Sequence, residues 1–116
     1  MSKEIKNALI EKVSLSMADH GCLTFYITVK FGACGCNIGG YCIGHGYLGA
    51  KKFDGYESGL VAMMRIMDTV GVERWEDLEG KYIRFVDNGW GSTIDEIGNI
   101  INDKWLNIRE FFKEAK

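Results

Sequence analysis

The chain contains no proline and only two histidines, His20 and His45. Without proline, special backbone geometry falls mainly to the 15 glycines, which reach left-handed conformations at no steric cost. With two imidazoles, few side chains are available as the base that a hydroxyl or thiol nucleophile needs, and no G-x-S-x-G elbow is present. No run approaches the roughly 18 apolar residues that cross a bilayer. The opening Met-Ser-Lys-Glu-Ile-Lys leads into no secretory core, so the cytoplasm is the expected location and no membrane partner is expected. A formal charge of −2 lacks the basic excess of a protein that coats nucleic acid, which makes duplex nucleic acid a poor partner.

What is present is globular. The 116 residues, 47% apolar, 26% charged and 12% aromatic, suit one domain over residues 1–116 with one modest core. Nine of the glycines lie between Gly32 and Gly59, where the chain is least regular. Cys22, Cys34, Cys36 and Cys42 have no export signal beside them and are expected as reduced thiols.

Leu23 to Phe31 alternates strictly, with Leu, Phe, Ile, Val and Phe on one face, which predicts a strand. Val13, Leu15 and Met17 alternate before it, and Asp19-His20-Gly21 is a turn signal, so residues 8–31 read as an antiparallel hairpin. A third strand is expected over Ile38 to Ile43, with Gly39-Gly40 marking a bulge or a close backbone approach. Leu60, Met63, Met64, Met67 and Val70 recur at three and four residues and Gly71 follows, which predicts an amphipathic helix over 58–70. Residues 73–80 read as a short helical turn. Lys81 to Val86 and Thr93 to Ile101 read as strands flanking the loop Asp87 to Gly91. Asn107-Ile108-Arg109-Glu110 fits a capping box, with Leu106 and Phe111 placed for a staple. The expected fold is α+β, an antiparallel sheet of about five strands with one three-turn helix and a short C-terminal helix, in the order βββαββα.

The candidate chemistry is sparse. Cys34-Gly35-Cys36, Cys42 and His45 offer three thiols and an imidazole of the kind that hold zinc, but C-x-C is not the C-x2-C knuckle, and packed thiols are favoured over a metal site. A Cys42–His45 dyad is weighed and set aside. Asp95-Glu96 and Glu76-Asp77-Leu78-Glu79 read as solvated faces. The expectation is therefore no enzyme and no cofactor. Arg84, Trp90 and Arg109 are more suggestive, since adenine rings are gripped between an aromatic face and a guanidinium plane and arginine suits phosphate. The competing reading is that the aromatics near Arg109 staple the last helix to the sheet. Trp75 and Trp105 are expected as core or interface anchors, and Gly32 to Gly49 remains a second candidate surface.

The stretches Asp19-His20-Gly21-Cys22-Leu23-Thr24-Phe25, Gly39-Gly40-Tyr41, Val70 to Arg84 and Ile97-Gly98-Asn99-Ile100-Ile101 with Trp105 resemble a family of small phage and prophage proteins, together with the first family of Thoeris anti-defence proteins. The resemblance spans nearly the whole chain, although the Cys34–Cys36 segment departs from the family's glycine-rich pattern. It implies a homo-oligomer, at least a dimer, that sequesters a cyclic ADP-ribose isomer or related nucleotide signal without cleaving it. The positions it implies are Tyr82 or Trp90 for the ring, Arg109 for the opposing face, Asn88 for base-edge hydrogen bonds and Arg84 for phosphate. The alternative function is a protein-binding phage inhibitor, such as an anti-CRISPR protein, with a structural zinc site as a variant.

Overall fold

The alternation of Leu23 to Phe31 takes the form it predicts: Phe25, Ile27 and Val29 are buried on one face of a strand, while Tyr26 and Lys30 face outward. The computed structural model describes residues 4–89 and 91–114. It comprises β1 (Glu4–Asp19), β2 (Cys22–Phe31), β3 (Cys34–His45), β4 (Asp54–Gly55), α1 (Glu57–Val70), a 3-10 turn (Trp75–Leu78), β5 (Tyr82–Asp87), β6 (Glu96–Gly98), β7 (Trp105–Asn107) and α2 (Ile108–Glu114). The strands form one seven-stranded sheet in the order β4-β3-β2-β1-β5-β6-β7, every pair antiparallel. The α+β class with an antiparallel sheet is as expected. The strand count is not: among the described residues there are seven strands rather than about five.

The turn between β1 and β2 is the two-residue His20-Gly21, both with positive φ (55° and 77°), a geometry that matches the twist of the flanking strands. In β1, Ala8 and Ile10 face the core; Val13, opposite Ile27, packs against it half-buried, and Leu15, opposite Phe25, lies on the same side of the sheet but is exposed. A register slip between Ile10 and Lys12 makes this possible. One extra residue reverses the parity of a strand, so without it Val13 and Leu15 would face outward. Before β5 begins the chain already follows β1: Gly80 N–H donates to Ile10 O (2.8 Å), and a Glu79 carboxylate oxygen accepts from Val13 N–H (3.1 Å).

The third strand is longer than residues 38–43 and carries two slips against β2. Gly39, at φ 119°, is where a Cβ would collide with the Phe25 carbonyl, so the close approach expected of Gly39-Gly40 is present. The predicted strand over Thr93 to Ile101 is instead the three-residue β6, and β7 is a further strand. Asn99 breaks it. Its buried side chain donates to Thr69 O (3.0 Å) and Val70 O (3.1 Å) and accepts from the amides of Ile101 (2.9 Å) and Asn102 (2.8 Å), turning the chain back toward β7.

Helix α1 has nearly the predicted limits and ends at Gly71 (φ 96°), where the amides of Gly71 and Val72 both return to Met67 O. Its buried face is corrected in part: Met63 and Val70 pack against the core as expected. Gly59, Ala62, Ile66 and Thr69 point inward, whereas Leu60 and Met64 are 65% and 63% exposed. Small residues set this choice: a Cβ at Gly59 would collide with Ile43 on β3, so the helix can seat closely only on its glycine and alanine side. Helix α2 is capped as predicted, with Asn107 Oδ1 accepting from Glu110 N–H (2.9 Å). Both helices and the 3-10 turn lie on one face of the sheet over a single core cluster that includes Phe25, Phe85, Ile66, Leu78 and Ile108. Ile5, Tyr26, Lys30 and Tyr82 are exposed on the opposite face. No helix among the described residues is long and apolar enough to cross a membrane.

Candidate functional site

Where β5 runs out, Asp87 bends the chain by accepting from Gly89 N–H (2.9 Å), and Ser92 N–H donates to Gly89 O (3.1 Å). The loop so formed stands beside the β2–β3 turn and encloses a hollow of about 630 Å³. Phe31 and Phe85, with ring centroids 4.7 Å apart, are among its apolar lining residues. Lys6, Asp87, Asn88 and the thiol-bearing Cys34 and Cys36 supply polar groups. Lys6 Nζ and Asp87 Oδ2 are 2.7 Å apart. The hydrogen bond from Lys6, joined by that from Gly89 N–H, holds the Asp87 carboxyl below its ordinary value, and Asp87 in turn holds the Lys6 ammonium above its own.

A second hollow, of about 270 Å³, shares the Thr93–Ile94 wall with the first and is lined on its other sides by Gly39, Gly40, Tyr41, Asp95 and Arg109. Arg109 leans toward Asp95, with 3.7 Å between Nη1 and Oδ2, and keeps most of its side chain in solvent. Burial, then the Asp95 charge, pushes the Tyr41 phenol above its ordinary value, so it remains protonated. The floor beneath is aromatic: Tyr41 stacks on Phe112 at 4.3 Å and 18°, and Phe112 reaches Phe25. The aromatics of α2 thus do fasten that helix to the sheet, while the guanidinium of Arg109 is left facing the hollow.

The remaining sequence-derived candidates are dispersed. Tyr82 is exposed on the outer face and lines a third hollow with Lys81, Ile100, Ile101 and Asn102. Arg84 donates through Nε to Asn99 O (2.7 Å) and through Nη2 to Asn102 O (2.8 Å), with its guanidinium 4.8 Å from the Trp105 ring centroid; these contacts hold the β6–β7 connection down. Trp90 lies outside the described residues. Asn88 and Arg109 therefore stand at adjoining hollows, with Tyr82 and Arg84 elsewhere. Trp75, half-buried, packs edge-on against Phe25 at 5.7 Å, at the margin of the core. Lys6 was not anticipated; its signal was its place in the inward register Lys6, Ala8, Ile10.

The cysteines regroup as well. Cys34 and Cys36 pair with Phe31 and Val29 at one end of the β2–β3 ladder, while Cys42 and His45 pair with Thr24 and Cys22 at the other. Cys22, Cys42 and His45 bring their ligand atoms within 4.8 Å of one another, and none of the four cysteines is in a disulfide. Comparison with family models, with curated proteins and with solved structures finds no match to this chain.

Proposed function

We propose that the protein is a phage counter-defence protein that binds a nucleotide-derived immune signal, a cyclic ADP-ribose isomer or cyclic oligonucleotide, and sequesters it uncleaved in the host cytoplasm. The observation that supports this reading is the pair of adjoining hollows divided by Thr93–Ile94, with Lys6 and Asn88 in one and Tyr41 and Arg109 in the other. Each hollow sets one cation beside one carboxylate, Lys6 with Asp87 and Arg109 with Asp95; the looser, more exposed Arg109 guanidinium suits a phosphate, and the aromatic linings suit a base. Asn88 supplies base-edge hydrogen bonds and Arg109 faces the ring or a phosphate. Tyr82 and Arg84, assigned to the pocket through the resemblance, enter it only if the binding unit is the implied homo-oligomer, in which a second copy brings other surfaces near; Trp90 lies outside the described residues. Binding without chemistry is favoured because the strongest titratable pair in the hollow, Lys6 with Asp87, is mutually neutralised at 2.7 Å. Such a pair is poorly placed for proton transfer near neutrality.

The test is thermal unfolding against a panel of cyclic ADP-ribose isomers and cyclic oligonucleotides, with native mass spectrometry for stoichiometry. Binding raises the melting temperature by ligand linkage, and heating releases the ligand with its mass unchanged. No shift across the panel, or a cleaved product, refutes the proposal. A second reading, a protein-binding phage inhibitor, is favoured by one observation: Tyr47, Leu48 and Phe53, in the segment between β3 and β4, are 66%, 92% and 59% exposed. Clustered exposed apolar side chains mark interaction surfaces. Stoichiometric capture of one host protein without nucleotide would select this reading.

A further inference from the structure

The end of β3 that roots the 46–53 segment carries a second constellation. Cys22 opens β2, Cys42 and His45 close β3, and the register slip between the Cys22–His45 and Thr24–Cys42 pairs lies among them. Cys42 Sγ lies 3.7 Å from His45 Nε2. Tetrahedral zinc with ordinary Zn–S and Zn–N bond lengths separates a sulfur from a nitrogen ligand by about 3.6 Å and two sulfurs by about 3.8 Å. The other imidazole nitrogen, Nδ1, is hydrogen-bonded to the Tyr56 hydroxyl. With Nδ1 protonated and donating to that oxygen, Nε2 keeps its lone pair and faces the thiols, the arrangement by which an outer partner orients a ligating histidine.

We propose that Cys22 Sγ, Cys42 Sγ and His45 Nε2 bind one Zn²⁺, with Tyr56 fixing the imidazole from behind and water in the fourth position. Two thiol protons pass to solvent as two Zn–S bonds form, so the bound site is neutral, which suits half-buried cysteines. The metal would tie the start of β2 to the end of β3. Through Tyr56, whose amide donates to Ile43 O at 3.0 Å, it would also tie both to the start of α1. Cys34 and Cys36 take no part.

The test uses full-length protein, reduced, stripped with chelator and reloaded with zinc sulfate, and it does not depend on any nucleotide ligand. About one zinc per chain is expected to survive gel filtration, and cobalt(II) should give thiolate charge-transfer absorption with the intense visible bands of a tetrahedral site. Cys42→Ser and His45→Gln should lose the metal and Tyr56→Phe should weaken it about tenfold, while Cys34→Ser and Cys36→Ser retain it. Circular dichroism checks folding, and exposed His45 provides the variant least disturbing to the core. Zinc below about a tenth of an equivalent in the reduced protein, zinc unaffected by His45→Gln, or equal loss in Cys34→Ser overturns the assignment.

Discussion

Replacing Asn99 with alanine should unfasten three elements at once. The side chain spans the C-terminal carbonyls of α1 at Thr69 and Val70 and the amides of Ile101 and Asn102, four hydrogen bonds between 2.8 and 3.1 Å. At a net value of about 1 kcal/mol each, the four set an upper bound near ~4 kcal/mol. The segment at Ile101 and Asn102 is exposed, so water can replace the bonds to those amides. The contacts to the helix carbonyls are more sheltered, and the expected loss is about 2–3 kcal/mol. With a urea dependence of about 2 kcal/mol per molar, the midpoint should fall by roughly 1–1.5 M. Asn99→Asp sharpens the test. It keeps the oxygen that accepts from both amides but turns a carboxylate toward two carbonyls at the negative end of a helix, which raises its pKa in the folded state. Its stability should therefore recover as pH falls from 7 to about 4, where protonation returns one donor. An alanine variant losing less than about 0.5 kcal/mol, or an aspartate variant indifferent to pH, would refute the account of Asn99 as the residue that ends β6.

Gly59→Ala should cost about 1–3 kcal/mol by overpacking against Ile43, although alanine is ordinarily the better helix former; an equal or higher melting temperature would show that α1 can draw back from β3. The Lys6–Asp87 pair gives a pH signature of two signs: the lowered Asp87 carboxyl contributes stability above its ordinary value of 3.8 that is lost as pH falls through the folded value. The raised Lys6 ammonium contributes stability below its ordinary 10.5 that is lost as pH rises through its own. Lys6→Met should flatten both ends of a melting temperature against pH profile. Arg109→Ala should change stability by no more than about 0.5 kcal/mol, because its guanidinium is exposed and its contact with Asp95 is long, yet it should abolish any ligand-induced rise in melting temperature. A large loss of stability would make Arg109 part of the staple rather than of the hollow.

What the sequence made legible was local. The β2 alternation, the His20-Gly21 turn, the Gly71 end of α1 and the Asn107 cap each depend on residues within one turn or one strand. The inward face of α1 was misread at Leu60 and Met64 because hydrophobicity favours them, whereas the contact with Ile43 rewards the absence of a side chain at Gly59. The strand over Thr93 to Ile101 was misread because Asn99 finds its partners 29 and 30 residues away on α1. The same limit governs the sites. The hollow joins Lys6, Phe31 and Asn88 from distant positions, and Cys22 meets Cys42 and His45 only across a slipped strand ladder. Spacing along the chain had grouped Cys34 and Cys36 with them instead.

The place of β1 in the sheet bears on how the chain is made. It is the first strand to be synthesised, yet it lies in the interior of the sheet, with β2 on one edge and β5 on the other. The β2 edge closes through a two-residue turn, within microseconds. The other waits for Tyr82–Asp87, which at ribosomal speeds arrives seconds later. Throughout that interval Ala8 and Ile10 border an unsatisfied backbone ladder, the kind of template on which nascent chains aggregate. Synthesis rate and chaperone access over this window should govern the yield of folded protein.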